Sequence, residues 1–168
     1  KLVLHGGGNS SVKAHVFDLS GMSVEGLHVK ASGHDLADIE ANGFTSLDLA
    51  QLRRLEALNA LSDIDMLAAL TRAKLRPSEA APSVETLLHA FLPAPYIFHS
   101  HANAVLALTN QSNGKSIVEK ICGDEVIVLP YAMSGFALAK RAAAAVRRSP
   151  GAKALVVMKH GVFTFGKT

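Results

Sequence analysis

The stretch Pro95-Tyr96-Ile97-Phe98-His99-Ser100-His101 joins an aromatic and β-branched run to two histidines at alternate positions. Aromatic and β-branched residues favour extended backbone, so the run predicts a strand. On a strand, residues i and i+2 project from the same face, about 6.5–7 Å apart along the chain. His99 and His101 are therefore predicted to point the same way, and two imidazoles so placed can bind one metal ion.

Two further residues can complete such a site. His160 follows the apolar run 154–158, which predicts a neighbouring strand. Glu85 lies in the first turn of a predicted helix. Three protein ligands and an open position are typical of a catalytic zinc site rather than a structural one. The alternative is that these are unrelated polar side chains at the ends of strands and helices. Glu85 would then only interact favourably with the positive end of the helix dipole.

Length and composition exclude several classes of protein. The chain has 168 residues, of which 49% are hydrophobic and 18% charged, so it can bury a sizeable core. No apolar run approaches the ~20 residues that a membrane-spanning helix needs, so no membrane partner is expected. The net charge of +3 is small and scattered, which argues against nucleic acid. The chain has a single cysteine, Cys122, and therefore no internal disulfide, which is typical of proteins in the reducing cytoplasm. We expect Cys122 to pack as a small hydrophobic side chain.

Hydrophobic periodicity and turn residues predict a mixture of strands and helices. Residues 12–17 and 26–31 predict a hairpin, and further strands are predicted over 125–129, 154–158 and 162–165. Helices are predicted over 45–61 and 62–74, from Ser83 to Pro93, and over 102–109 and 135–148. Strands that occur both in hairpins and singly favour an antiparallel or mixed sheet with helices on its faces.

We expect residues 1–168 to form a single domain, because no repeat or linker divides them. The chain begins with lysine rather than methionine and stops directly after a predicted strand. We therefore expect that its N-terminal start and a C-terminal segment are missing from this sequence.

The segment Gly6-Gly7-Gly8-Asn9-Ser10-Ser11 predicts a loop whose backbone N–H groups and small side chains can surround an anion such as phosphate. It is not a Walker A loop, because no GK[ST] follows. It is also not the GxGxxG motif of dinucleotide-binding proteins, because Ser11 replaces the last glycine. The alternative is a tight turn without a ligand. The turns Ser32-Gly33 and Pro82-Ser83 can complete the same anion pocket. His89, one turn after Glu85, is a candidate to support a metal ligand.

Six segments of the chain carry the motifs of one known family, in the family's order. They are GGNSSVK (7–13), VKASGHDL (29–36), PSVETLLHAFLP (82–93), HSHANAV (99–105), LPYA (129–132) and KHGVFTFG (159–166). Over nearly its whole length the chain resembles the class II aldolase/adducin family. The resemblance is closest to the rhamnulose-1-phosphate aldolase-like half of bacterial fusions with a short-chain dehydrogenase. It implies an α/β fold with three α/β/α layers around an antiparallel-rich mixed sheet.

The resemblance also implies a role for individual residues. His99, His101 and His160 take the places of the ligands of Zn²⁺ or another divalent transition metal. Glu85 takes the place of the catalytic acid/base. The substrate and phosphate positions correspond to Asn9, Ser32, Gly33 and Ser83, to which the glycine-rich loop adds Ser10.

The resemblance does not assign two groups of the implied site, a second phosphate donor and the acid for the aldehyde oxygen. Val84 stands where simpler family aldolases have a second serine before the glutamate, so one phosphate donor is lost or supplied otherwise. The acid that serves the aldehyde oxygen is not identified. Tyr131 is a candidate, although family tyrosines with this role often come from a neighbouring subunit rather than from the same chain.

The implied function is a zinc-dependent aldolase that cleaves a ketose 1-phosphate, such as rhamnulose 1-phosphate, into dihydroxyacetone phosphate and an aldehyde. The alternatives are a sugar-phosphate epimerase or dehydratase on the same metal site, or a non-catalytic adducin-like interaction module. The implied partners are a small sugar or sugar phosphate and further copies of the chain in a homo-oligomer, expected to be a tetramer. A dehydrogenase domain fused to this one is a further expectation.

Overall fold

A computed structural model describes residues 7–168, which form one seven-stranded sheet with helices on both sides. The strands are β1 (Asn9–Phe17), β2 (Ser23–Lys30), β3 (Phe44–Asp48), β4 (Tyr96–Ser100), β5 (Val126–Leu129), β6 (Ala154–Val157) and β7 (Gly161–Gly166). The helices are α1 (Leu49–Arg54), α2 (Asp63–Arg72), α3 (Thr86–Phe91), α4 (Asn103–Thr109), α5 (Gly114–Cys122) and α6 (Phe136–Arg148).

The strand order is β3-β2-β1-β4-β7-β6-β5. Every pair of neighbouring strands in this part of the chain is antiparallel except β5 and β6, which run parallel. Helix α3 packs against α1 and α6, whereas α4 packs against α5. The predicted α/β class with an antiparallel-rich mixed sheet is therefore confirmed.

The predicted hairpin is also confirmed, with β1 and β2 joined by a tight turn. The Asp18 carboxylate accepts hydrogen bonds from the N–H groups of Ser20 (2.8 Å) and Met22 (2.9 Å). Gly21 has a φ of 81°, a backbone conformation that glycine adopts without steric cost. This turn fixes the register in which β1 reaches the centre of the sheet.

The prediction of one helix over 45–61 is wrong. Residues 44–48 form β3, which pairs with β2, and the side chains of Thr45 and Leu47 are fully buried. Thr45 Oγ1 donates to the carbonyl of Ala80 (2.6 Å) instead of capping a helix. Helix α1 begins only after Asp48 and ends at Arg54. Strand pairing with β2 outweighs the local capping pattern, because it satisfies the backbone and buries the apolar side chains together.

Helix α5 was not predicted from the sequence. Only Gly114 and Val118 of this helix are buried. Cys122 at its C-terminal end is exposed, so the expectation that it packs as a buried hydrophobe is wrong. The other predicted helices and the strands β5 to β7 lie where the sequence places them, within a few residues at each end.

Strand β4 lies in the middle of the sheet, between β1 and β7. His99 of β4 stands opposite Asn9 on one side and Phe163 on the other. Residues opposed in this way point to the same face of the sheet. No helix within residues 7–168 is long and apolar enough to cross a membrane.

We expect Asp48→Ala to lower the free energy of unfolding by about 1 kcal/mol, because it removes an N-cap acceptor. The Asp48 carboxylate accepts from the Gln51 N–H (3.0 Å) at the start of α1. Asp48→Asn keeps an acceptor oxygen and is the matched control, with stability close to that of the original chain. Urea unfolding followed by circular dichroism measures both. Equal stability of the two variants would contradict Asp48 as the start of the helix.

Candidate metal centre and substrate cavity

One glutamate and three histidines converge at the end of β4: Glu85, His99, His101 and His160. One ligand atom from each lies within 4.8 Å of all the others. The Nε2 atoms of His99 and His101 are 2.9 Å apart, and Glu85 Oε1 lies 3.0 Å from His160 Nε2. Ligand atoms bound tetrahedrally at about 2.0–2.1 Å are separated by about 3.3–3.4 Å. Three imidazole nitrogens and a carboxylate oxygen at these spacings therefore fit a single divalent transition metal.

The position of His99 is set by β4 and β7 together. The side chain is fully buried, and its Nδ1 lies 3.0 Å from the carbonyl oxygen of Val162. A carbonyl oxygen can only accept, so Nδ1 carries the proton and Nε2 keeps its lone pair. Phe163 stacks on the His99 ring, with centroids 3.8 Å apart and an interplanar angle of 8°. His99 is thus held with Nε2 directed into the cluster.

The other members of the cluster come from turns that meet this strand end. His101 follows β4 by one residue. His160 closes the turn between β6 and β7, where its N–H donates to the carbonyl of Val157 (3.1 Å). Glu85 lies immediately before α3, and its N–H donates to Ser83 Oγ (3.2 Å). Three separate parts of the chain therefore supply one site.

Ser134 also belongs to the site, although the sequence did not point to it. Its hydroxyl donates to Glu85 Oε1 at 3.1 Å, from the turn before α6. No motif signals this contact, because the two residues are 49 positions apart. Ser134 therefore helps to orient the carboxylate toward the histidines.

The electrostatics of the cluster suit a cation. Burial raises the pKa of Glu85, but the hydrogen bond with His160 and the attraction of His99 outweigh burial and hold this pKa at about 2. Burial lowers the pKa of His99 to about 4 and also lowers the pKa of His101. Near neutral pH the Glu85 carboxylate thus faces the uncharged imidazoles of His99 and His101, which is the protonation state that metal binding requires.

His89, the candidate to support a metal ligand, forms its hydrogen bond with Ser11 and not with a residue of the cluster. It is fully buried, and its Nδ1 lies 2.7 Å from Ser11 Oγ. Burial lowers its pKa to about 3, so the ring is neutral. Its ring stands edge-on to Phe163, with centroids 6.1 Å apart, and Phe163 stacks on His99. His89 therefore supports the cluster through packing.

The structure brings the Ser32-Gly33 turn beside Ser83, as a shared anion pocket requires. The Ser32 N–H donates to the carbonyl of Ala81 (2.8 Å), and Ala31 bridges to Pro82. Gly33 has a φ of 82°, and both turn residues are exposed. Small groups from two distant motifs thus line one surface.

Asn9 and Ser10 lie on opposite faces of the sheet. Asn9 is buried and stands opposite His99, so it shares the face of the metal cluster. Ser10 stands opposite Phe98 and lines a separate cavity with Thr164. The structure therefore does not bring the Ser10 side chain to the other predicted site residues.

The glycine-rich segment lies against the metal site. Gly6 is outside the described residues. A Cβ on Gly8 would lie 2.5 Å from the His99 carbonyl oxygen, and one on Gly7 would lie 2.8 Å from His101 Nδ1. Glycine is required here for close approach of the backbone to β4.

Lys30 is a buried lysine that no sequence motif marks as a site residue. Its side chain is almost fully buried, and Nζ donates to the carbonyl oxygens of His34 (2.6 Å) and Ala31 (3.4 Å). The pKa of Lys30 is lowered, because the effect of burial outweighs the opposing effect of the Asp35 and Glu85 carboxylates. A positive charge thus lies beneath the Ser32-Gly33 turn. Only the fold reveals it, because β2 carries the lysine inward.

A cavity of about 700 Å³ opens beside His101 and His160. Val84 and Leu106 are among its apolar lining residues, and Lys159 is among its polar ones. Of the residues that the structure describes, none of the predicted phosphate-binding set lines this cavity. The cavity beside the cluster is therefore partly apolar, unlike the Ser32-Gly33 turn with its small polar groups.

Residues 1–168 match the family described as the class II aldolase and adducin N-terminal domain. The chain belongs to this class II aldolase and adducin family. The predicted resemblance is confirmed, and the glutamate–histidine cluster is a candidate site for a metal ion.

Individual relatives agree with this family assignment. The N-terminal class II aldolase domain of a conserved protein from Thermoplasma acidophilum is 40% identical, with a TM-score of 0.92 over 99% of this chain and 76% of that one. The uncharacterized oxidoreductase YuxG of Bacillus subtilis (strain 168) is 38% identical over 163 residues, which are 97% of this chain and 24% of that protein. The chain thus spans about a quarter of that relative's length.

More distant structures share the fold. The L-fuculose-1-phosphate aldolase of Thermus thermophilus is 18% identical, with a TM-score of 0.56 over 99% of this chain and 71% of that one.

We expect Gly161→Ala to weaken metal binding by about 10–100-fold, the range for disturbed support of metal ligands. The added Cβ would lie 2.5 Å from the Ser100 carbonyl oxygen and 3.0 Å from His99 Cε1, so β4 or the rings must shift. Gly166→Ala in the same strand is the control, because its Cβ meets nothing closer than 3.4 Å. Zinc affinity is measured by competition with a chelating dye. Equal affinity of the two variants would show that the cluster tolerates the displacement.

Proposed function

We propose that this protein is a zinc-dependent aldolase that cleaves a ketose 1-phosphate, such as rhamnulose 1-phosphate, into dihydroxyacetone phosphate and an aldehyde. The observation that carries the proposal is the convergence of Glu85 with three histidines beside an open cavity. Membership of the class II aldolase family supports the reaction class. Imidazole nitrogens suit zinc among the divalent transition metals, which supports the choice of ion.

The reaction requires one bond cleavage and two proton transfers. The bond between C3 and C4 of the ketose breaks, and its electron pair stays on C3 of the dihydroxyacetone phosphate fragment. The C4 hydroxyl loses its proton as the aldehyde forms, and C3 gains one. A divalent cation held by the histidines supplies Lewis acidity toward the substrate carbonyl.

Glu85 is the residue that we propose to move the proton at C3. It is largely buried and ionised, and Ser134 and His160 hold its Oε1 atom in place. A carboxylate fixed in this way can take a proton from C3 in the synthetic direction. In cleavage it first takes up a proton, which water relays from the C4 hydroxyl, and then delivers that proton to C3. Its position among the histidines keeps the transfer next to the polarised carbonyl.

The phosphate end of the substrate is proposed to bind at the Ser32-Gly33 turn, with Ser83 and Asn9 nearby. The adjacency of the two serine-bearing segments supports this assignment. The buried ammonium of Lys30 supplies a positive charge beneath the turn. We propose that this charge compensates for the donor that Val84 does not provide.

The proposal extends to assembly and context. Val84, Tyr131 and Met133 line the cavity and are 46%, 52% and 74% exposed, an apolar rim that favours contact with another copy of the chain. A homotetramer in which a neighbour completes the site is the proposed assembly. The greater length of the oxidoreductase relative supports a fused dehydrogenase domain. A cytoplasmic role in carbohydrate metabolism belongs to the same proposal.

We expect Glu85→Gln to lower kcat by about 10²–10⁴-fold, because the amide cannot carry the proton. Zinc-loaded protein is assayed with a panel of ketose 1-phosphates, and the dihydroxyacetone phosphate released is measured through a coupled reduction. Glu125→Gln, which alters an exposed ion pair with Lys153, is the control with unchanged turnover. No cleavage of any ketose 1-phosphate by the unaltered protein would refute the proposed function, and near-normal turnover of E85Q would reassign the base.

We expect Lys30→Met to reduce the preference for a phosphorylated ketose over the free ketose by about tenfold or more, the scale of one charge-assisted hydrogen bond. The ratio of the two kcat/KM values measures this preference. Lys74→Met is the matched control, because Lys74 Nζ also binds a backbone carbonyl, that of Pro77 (2.9 Å), away from the site. An unchanged ratio in K30M would remove Lys30 from the phosphate pocket.

A further inference from the structure

Lys159 has an unusual backbone conformation immediately before His160. Its φ is 59°, and it is the one non-glycine residue with positive φ among residues 7–168. It lies in the turn between β6 and β7, which the His160 N–H closes by donating to the Val157 carbonyl (3.1 Å). Glycine would adopt this left-handed conformation at lower free energy. A lysine at this position therefore suggests that its side chain has a use.

The side chain of Lys159 is available to a ligand. It is exposed and lines the 700 Å³ cavity beside His101 and His160. Its ammonium takes part in no hydrogen bond or ion pair with any residue in the described range 7–168. A cation without a partner thus stands next to the metal cluster, in a partly apolar cavity where its charge is screened less than in bulk water.

The other polar groups of the cavity are engaged or unsuitable for binding a negative oxygen. The Tyr131 hydroxyl donates to Met133 Sδ (3.1 Å), and the Ser134 hydroxyl donates to Glu85. Asp63 also lines the cavity, and its carboxylate would repel negative charge. Lys159 is the group best suited to an electron-rich oxygen of the substrate.

The orientation of the substrate follows from the proposed function, on which this inference rests. With the phosphate at the Ser32-Gly33 turn and the carbonyl at the metal cluster, the remaining half of the ketose extends into the cavity. That half becomes the aldehyde. When the C4 hydroxyl releases its proton to water, negative charge collects on the C4 oxygen until the C3–C4 bond breaks and its electron pair stays on C3.

We propose that Lys159 is a catalytic residue for the aldehyde half, where its ammonium hydrogen-bonds the C4 oxygen and stabilises the negative charge on it. Glu85 serves the dihydroxyacetone phosphate half, so the two charged side chains act on opposite sides of the bond that breaks. A fixed donor aimed at a developing oxyanion accelerates such a step strongly.

The test compares Lys159→Gly and Lys159→Met with Lys159→Arg in the zinc-loaded protein. Removal of one oxyanion donor reduces kcat by about 10²–10³-fold, and we expect this loss in K159G and K159M. K159R keeps a cationic donor and should retain more activity than either. Glycine suits the positive φ, so K159G should unfold at a higher temperature than the unaltered protein. A variant that is more stable but less active has not lost activity through misfolding.

Two partial measurements separate the halves of the reaction. Exchange of solvent hydrogen into C3 of dihydroxyacetone phosphate involves no aldehyde, so K159G should exchange at the rate of the unaltered protein, whereas E85Q should not. Phosphoglycolohydroxamate resembles the dihydroxyacetone phosphate half alone. Titration calorimetry should therefore show equal affinity for it in K159G and in the unaltered protein.

Cleavage by K159G and K159M at the rate of the unaltered protein would overturn this role of Lys159. So would loss of exchange, or of phosphoglycolohydroxamate binding, in K159G, because either would place the effect at the metal or phosphate side. Failure of the unaltered protein to cleave any ketose 1-phosphate is a different result, since it contradicts the proposed function itself.

Discussion

The hydrogen bond between His99 Nδ1 and the Val162 carbonyl oxygen is the contact on which the site depends. It fixes the ring tautomer and leaves Nε2 free, and it forms only because β4 and β7 pair in one register. The same register places Phe163 against the His99 ring and Gly161 against the Ser100 carbonyl. A slip of one residue would turn His99 to the other face of the sheet. The metal site is therefore a consequence of strand register rather than of a single loop.

Three charged side chains lie around this centre. Glu85 is buried against the histidines, and Lys30 is buried beneath the Ser32-Gly33 turn. Lys159 is exposed and lines the cavity beside His101 and His160. Buried charges such as those of Glu85 and Lys30 are costly unless they are paired or bind a ligand, so their presence here marks a functional region. The apolar rim of the cavity adds a surface that a second copy can cover.

The sequence predicts much of this arrangement because several of its signals are local. Alternation along β4 is enough to align His99 and His101, and the apolar run before His160 is enough to predict β6. Local patterns fail where distant pairing decides. Residues 44–48 satisfy a capping pattern but join β2 in the sheet. Ser134 acquires its role through a contact 49 residues away, and no motif records it. The side of the sheet that Ser10 faces follows from register and could not be read from the glycine-rich segment itself.

Zinc X-ray absorption on stoichiometrically reconstituted protein tests whether the three histidines and Glu85 hold one divalent metal ion. We expect one zinc per chain, bound by three imidazole nitrogens and by oxygen at about 2.0–2.1 Å. His99→Ala should remove one imidazole from that shell. Failure to retain stoichiometric zinc after reconstitution, or a ligand shell that His99→Ala leaves unchanged, would show that these four residues do not form a metal site.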